Sequence, residues 1–232
     1  MTSATNPQDL WKQRAALAAA DLVTDGMVIG LGTGTTANFL IKILGERVQN
    51  GLHIVGAVPS SQASAELAAS VNIPITSLDI YPELDTYIDG ADEIDPQLRL
   101  IKGAGGALLR EKIVASAANK FVVIADPTKK VEQLGHLFPL PVEVVPLAIH
   151  PITLRLSKLG ALVKLRQREG ATFVTDNHNV ILDCTFPDGI SDPVELDARI
   201  HSIVGVIETG LFIHLATQII IGGPEGVEIY PK

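Results

Sequence analysis

Short apolar runs alternate with amphipathic stretches along this chain, and glycine-bearing turns separate them. A chain written this way folds as a parallel sheet covered by helices, because each strand must cross back beneath a helix before the next can pair. Asn6-Pro7 opens a first helix, with Asn6 as cap and Pro7 in the first turn. Leu10, Trp11, Ala15, Leu17, Ala18 and Leu22 follow at helical spacing. Residues 26–32 read as a buried strand, 37–48 as a helix, 53–58 as a strand, and 62–71 as a helix after the turn Pro59-Ser60-Ser61. Short strands are predicted at 73–78, 86–89 and 98–102, then a helix over 107–118 and an apolar strand over 120–126.

Beyond Phe138 the prolines at 139, 141 and 146 mark a change of domain. The order then reads β-α-β-β-α-β: 141–145, 152–159, 161–166, a hairpin around Asp176-Asn177-His178-Asn179, a helix over 193–203, and 206–213. That is the ferredoxin-like order. Strands at 218–221 and 227–230 return to the first domain. The expected fold is therefore α/β: an open, mostly parallel Rossmann-like sheet flanked by helices, plus a smaller ferredoxin-like α+β domain. The boundaries fall at 1–137 with 209–232 for the larger domain and 138–208 for the smaller.

Composition excludes several functions. With 18 basic and 26 acidic side chains the net charge is −8, and no run of Lys or Arg offers a nucleic-acid surface. Aromatics at 4% supply no base-stacking platform. No uncharged apolar run reaches roughly 18 residues, so no membrane span is expected. Asp9, Lys12, Arg14 and Asp21 interrupt the first segment in a way no signal peptide does. The lone Cys184 can form neither an internal disulfide nor a cysteine zinc cluster, and it sits in an apolar run as an inert core thiol. A cytoplasmic protein is expected.

Chemistry gathers at the strand ends. Gly30-Leu31-Gly32-Thr33-Gly34-Thr35-Thr36 turns from strand to helix on glycines, and its N–H groups, helix dipole and hydroxyls suit an anion. It lacks the Gly-Lys-Ser/Thr of a nucleotide loop and the third glycine of a dinucleotide fingerprint, so a small-molecule monophosphate fits better. The same pattern also serves a plain βα turn with a threonine cap. Ser60 and Ser61 end the second strand and can donate to the same ligand, although a helix cap explains them more simply.

Asp89-Gly90-Ala91-Asp92-Glu93-Ile94-Asp95 puts four carboxylates in seven residues. Mutual repulsion raises such pKa values, which favours acid/base work; a Mg²⁺ site or a solvated acidic turn are the competing readings. Lys102-Gly103-Ala104-Gly105-Gly106 is a second glycine turn, with a lysine able to neutralise a phosphate or an oxyanion. Glu111 follows one turn into the next helix, away from a stripe of Leu109, Ile113 and Ala117. Helical side chains lean toward the N-terminus, so it can reach back over the loop; taken alone it reads as an exposed glutamate. Lys129 follows a further strand end.

Taken together GLGTGTT, VPSSQAS, IDGADEID, KGAGGALLREK, ADPTKKV and FPLPVEVVP, in that order and through to GGPEGVEIY, resemble the ribose-5-phosphate isomerase A family. The resemblance implies an aldose–ketose isomerase acting on a small sugar phosphate, without metal or organic cofactor. It implies substrate-binding loops at Thr33, Gly34, Thr35 and Thr36, at Asp89, Gly90, Ala91 and Asp92, and at Lys102, Gly103, Ala104 and Gly105, completed by Lys129. It implies Glu111 as general base and a homodimer or homotetramer built partly through the small domain. On chemical grounds Asp89 or Asp92 suits ring opening, and Lys102 with nearby N–H groups suits the oxyanion, although which of Lys102 and Lys129 holds the phosphate is not fixed by the sequence. Ala104 stands where some members carry glycine. A non-catalytic sugar-phosphate sensor, a sugar-phosphate deaminase, a CoA-transferase and a Mg²⁺-dependent phosphotransferase are the alternatives.

Overall fold

The computed structural model describes residues 6–231. Two compact units divide the chain: one runs up to Gly90 and takes in Arg110–Lys129 and the residues from Leu215 on; the other comprises Ala91–Leu109 and Lys130–His214.

In the first unit, α1 (Pro7–Ala20) starts where Asn6 accepts from the Gln8 N–H. β1 (Val28–Leu31), α2 (Thr35–Gln49), β2 (Gly56–Pro59), α3 (Gln62–Ser70) and β3 (Thr86–Asp89) follow. The six-stranded sheet has the order β15-β14-β6-β3-β1-β2, with β6 at Phe121–Ala125, β14 at Gln218–Gly223 and β15 at Gly226–Tyr230. All its pairings are parallel except β14 with the edge strand β15. Strands covered on both faces must be apolar throughout, and β1 and β6 are buried at every residue. Ala15, Ala16, Ala19 and Ala20 of α1 join Ile29, Leu31, Leu40, Ile41, Ile88 and Val122 in the core. Small side chains let α1 sit close to the sheet; at Gly222 of β14 the helix backbone itself makes the contact. The helix α4 (Leu108–Ser116) begins in the second unit and continues in the first.

The second unit holds β7 (Leu140–Val144), α5 (Ile149–Lys158), β8 (Leu162–Leu165), the hairpin β9 (Gln167–Arg168) and β10 (Ala171–Thr172), β11 (Val180–Thr185), α6 (Pro193–His201) and β12 (Val206–Thr209). Its four-stranded antiparallel sheet runs β12-β7-β11-β8, the ferredoxin-like arrangement. Leu140, Val142, Val144, Leu182 and Cys184 pack with Ile152, Leu156 and Ile200. Burial pushes the Cys184 thiol up to about 12, with Asp183 adding to the shift, which keeps it protonated and inert.

The structure departs from the sequence reading in four places. Residues 73–78 form no strand, only an isolated bridge of Ile75 to Ala57, because Pro74 has no N–H for a ladder. The 98–102 run does not join the large sheet: β5 (Leu100–Ile101) pairs antiparallel with β4 (Glu93–Ile94) and with β13 (Leu211–Phe212). The 206–213 run breaks at Gly210, where a Cβ would lie 2.4 Å from the Lys102 carbonyl oxygen, so β12 and β13 belong to different sheets. Consequently 91–109, 130–137 and 209–214, which the sequence grouped with the larger domain, group here with the second unit. Glu93 reinforces that grouping by accepting from the Gly135, Leu137 and Phe138 amides at 2.5–2.6 Å.

His201, near the end of α6, hydrogen-bonds Glu208 at 2.8 Å and the Asp197 carbonyl at 2.9 Å. Asp197 first and then Glu208 raise its pKa from 6.5 to about 10. A raised folded pKa stabilises fully below the unfolded value and is lost as pH climbs through the folded one. Denaturant midpoints should therefore fall between pH 6.5 and 10. His201→Gln should flatten that decline by about 1 kcal/mol, a figure kept small because the imidazole is half exposed and screened.

Candidate active site

In the first unit the C-terminal ends of β1, β2 and β3 come together, the usual place for a ligand in such a sheet. Gly32 is required there: a Cβ would fall 2.1 Å from Asp89 Oδ1. Thr33 then turns inward. Its hydroxyl meets Ser60 Oγ at 2.8 Å, Ser61 Oγ at 2.9 Å and Ser64 Oγ at 3.2 Å. Ser61 also accepts from the Ser64 N–H at 3.1 Å as the cap of α3. These serines form a buried knot that shapes the loop, and for Ser61 the cap reading holds. Gly34 caps α2 with φ of 102° and no side-chain bond, a geometry glycine adopts freely. Gly34 and Thr35 are exposed and Thr36 is half-buried, so the first turn of α2 opens to solvent with its dipole outward.

Asp89 is fully buried. Its Oδ1 accepts from the Thr33 N–H at 2.9 Å and the Gly90 N–H at 2.7 Å, and its Oδ2 accepts from the Tyr87 hydroxyl. Tyr87 lies fully buried against Phe121, ring centroids 5.0 Å apart. Burial pushes its hydroxyl pKa well above the ordinary tyrosine value, and the charges of Asp89 and Glu111 push it further.

Glu111 is itself only 4% exposed. The exposed-glutamate reading is therefore wrong, and so is the apolar stripe drawn beside it. Ile113 is 46% exposed, while Leu108, Glu111, Val114 and Ala115 form the buried side of α4. Lys129 is half-buried in a single helical turn, Pro127–Lys129, organised by Asp126, which accepts from the Thr128 N–H at 2.9 Å.

In the second unit, Asp92 is half-buried and its Oδ2 accepts from the Ala104 N–H at 2.9 Å, tying two of the motifs together. Lys102 is only 3% exposed, with its ammonium 5.4 Å from the centroid of the Phe212 ring, whose face favours the cation. Gly103 and Gly106 have φ of 109° and 90°. Ala104 and Gly105 between them are exposed, so the alanine is accommodated without contact strain.

Sequence reading missed Arg166. It donates to the Gly103 carbonyl at 2.7 Å and the Ala104 carbonyl at 3.2 Å while gripping Asp183 through two nitrogens. A planar fork of this kind fixes the loop in one shape. The remaining acids of the cluster are structural. Asp95 accepts from the Gln97 and Arg99 N–H groups, both at 2.9 Å, and pairs with the Arg99 side chain, and Glu93 is committed as above. Among the described residues no three His, Cys, Asp or Glu side chains are grouped to hold a metal ion. No described helix is long and apolar enough to cross a membrane.

A family model described as ribose 5-phosphate isomerase A (phosphoriboisomerase A) matches residues 56–226. Ribose-5-phosphate isomerase A of Roseiflexus castenholzii is 51% identical over 220 residues, covering 94% of each chain. A D-ribose-5-phosphate isomerase solved in complex with phospho-erythronic acid superposes with a TM-score of 0.93 at 41% identity, over 97% of this chain and 99% of that one. The Neisseria gonorrhoeae ribose 5 phosphate isomerase A superposes with a TM-score of 0.89 at 43% identity, over 96% of each chain. The chain belongs to the ribose-5-phosphate isomerase A family of aldose–ketose isomerases.

Proposed function

We propose that this chain interconverts D-ribose 5-phosphate and D-ribulose 5-phosphate by proton transfer through an enediolate, with Glu111 as the base. The observation that carries the assignment is a carboxylate buried to 4% exposure one turn into α4, immediately after the glycine loop of Lys102. Buried carboxylates need a reason to be kept, and proton abstraction next to a carbonyl is one.

The furanose first opens as a proton leaves the anomeric hydroxyl and one reaches the ring oxygen. Asp92 suits this step better than Asp89, because Asp92 is half-buried while both oxygens of Asp89 already accept hydrogen bonds. Asp89 instead holds the threonine loop in shape. Glu111 then removes the C2 proton of the open aldose, and the electron pair forms the C1–C2 double bond as negative charge moves onto O1. O1 gains a proton and O2 loses one. Glu111 returns its proton to C1, which leaves the carbonyl at C2. Lys102 stabilises the oxyanion, and loop N–H groups assist it. The open first turn of α2, with Gly34, Thr35 and Thr36, and Lys129 suit the phosphate. The relative solved with phospho-erythronic acid supports this reading, since a phosphorylated sugar acid pairs a phosphate with a planar anion like that of an enediolate.

No step calls for a metal. Activity followed as ribulose 5-phosphate formation should be unchanged in excess EDTA, and loss restored by Mg²⁺ would overturn the metal-free mechanism. The enzyme is proposed to act in the cytoplasm as a homodimer or homotetramer.

A further inference from the structure

Hydrogen bonds around Asp89 tie three strand ends together. Thr33 Oγ1 meets Ser60 Oγ at 2.8 Å, the Thr33 N–H donates to Asp89 Oδ1 at 2.9 Å, and the Tyr87 hydroxyl donates to Asp89 Oδ2. Ser60 also acts on the Tyr87 hydroxyl, favouring its ionised form. Tyr87 is the member for which the proposed chemistry has no use, and a buried hydroxyl facing carboxylates is not explained by packing alone.

We propose that Tyr87 is a positioning residue for the isomerisation: its hydroxyl fixes the Asp89 carboxylate and disperses the negative charge that Glu111 experiences. This role rests on the isomerase reading above.

The surroundings hold the phenol in one pose. Its ring stacks on Phe121 of β6 with an interplanar angle of 24°. β1 presses on it so closely that a Cβ at Gly30 would fall 2.6 Å from Tyr87 Cδ2. β2 contributes Ser60, which is not titratable. The charges that bear on the hydroxyl are Asp89, two residues along its own strand, and Glu111 from α4. A hydrogen bond donated to a buried carboxylate stabilises its charge and holds it in one pose. Oxygen-to-carboxylate bonds of this kind are among the stronger neutral-to-charged contacts in a protein. Removing the hydroxyl while keeping the ring leaves the packing and strips away only the donor.

Tyr87→Phe tests this. The parent and the variant are assayed with ribose 5-phosphate from pH 5 to 9, with thermal unfolding recorded at each pH. The variant should lose about tenfold in kcat with KM within about twofold, and its acidic limb should move up by about one pH unit, the size of one lost hydrogen bond to a carboxylate. Ser60→Ala weakens the same hydroxyl as a donor and should move the limb in the same direction by less. An unchanged limb in Tyr87→Phe overturns the proposal, including the case where kcat falls together with the unfolding temperature, since that is the signature of a merely structural residue. Should Tyr87→Phe fail to fold, an unmoved limb in Ser60→Ala overturns it instead. A parent without isomerase activity fails the functional reading itself, whereas an active parent with an indifferent Tyr87→Phe fails only this inference.

Discussion

Glu111→Gln is expected to lower turnover of ribose 5-phosphate by about a thousandfold, within the range that losing a general base produces. The amide matches the carboxylate in shape, so the buried side of α4 keeps its packing with Leu108, Val114 and Ala115. It cannot, however, accept the C2 proton. KM should stay within a few-fold, because ground-state binding is assigned to the glycine loops and Lys129 rather than to this side chain. In deuterated water the parent should exchange the transferred hydrogen with solvent while the folded variant does not. A folded variant with undiminished turnover would leave the function standing and remove Glu111 from the mechanism.

The largest stability effect is expected at Gly222, remote from the chemistry. A Cβ there would lie 2.0 Å from the Trp11 carbonyl oxygen and 2.7 Å from the Ala15 nitrogen, both backbone atoms of α1. A flexible side chain can swing aside from such a contact, but a helix backbone must shift as a body, carrying Ala15, Ala16 and Ala19 away from the core. Gly222 is not in the left-handed region, so lack of space is the whole of the objection to alanine. Gly222→Ala should cost about 3 kcal/mol, at the upper end for overpacking. That lowers the thermal midpoint of the first unit by roughly 10 °C for a chain of this size. Circular dichroism melts of the two proteins decide it; an unshifted midpoint would mean that α1 yields cheaply.

Strands and helices whose periodicity is set by local sequence are legible in the sequence itself. β1, α2, α3, β3 and β6 lie within a few residues of their predicted spans, since buried parallel strands and capped helices carry their signals locally. The loops carrying Thr33, Asp89 and Lys102 were legible for the same reason, as glycine turns at strand ends. Burial of Glu111 was not legible: one charged residue on the inward side of α4 breaks the apolar period, and the eye then chooses the wrong stripe, with Ile113 in it. Tyr87 left a usable trace, because residues two apart on a strand share a face and Tyr87 stands two before Asp89. Arg166 left none. Its partners are Asp183 on the neighbouring strand and the carbonyls of Gly103 and Ala104, some sixty residues earlier, and only tertiary pairing brings them together.

The discontinuous make-up of the first unit bears on how the chain is made. Every residue of the second unit precedes Leu215, so that unit is complete in sequence while β14 and β15 are still being translated. Until they emerge from the ribosome, β6 has no partner on the side that β14 will fill, and α1 lacks the strand against which its backbone is seated. An unpaired apolar strand edge invites association with other chains. Until β14 is in place the first unit therefore has a sheet still open at β6, and chaperone occupancy should peak over that last interval of synthesis.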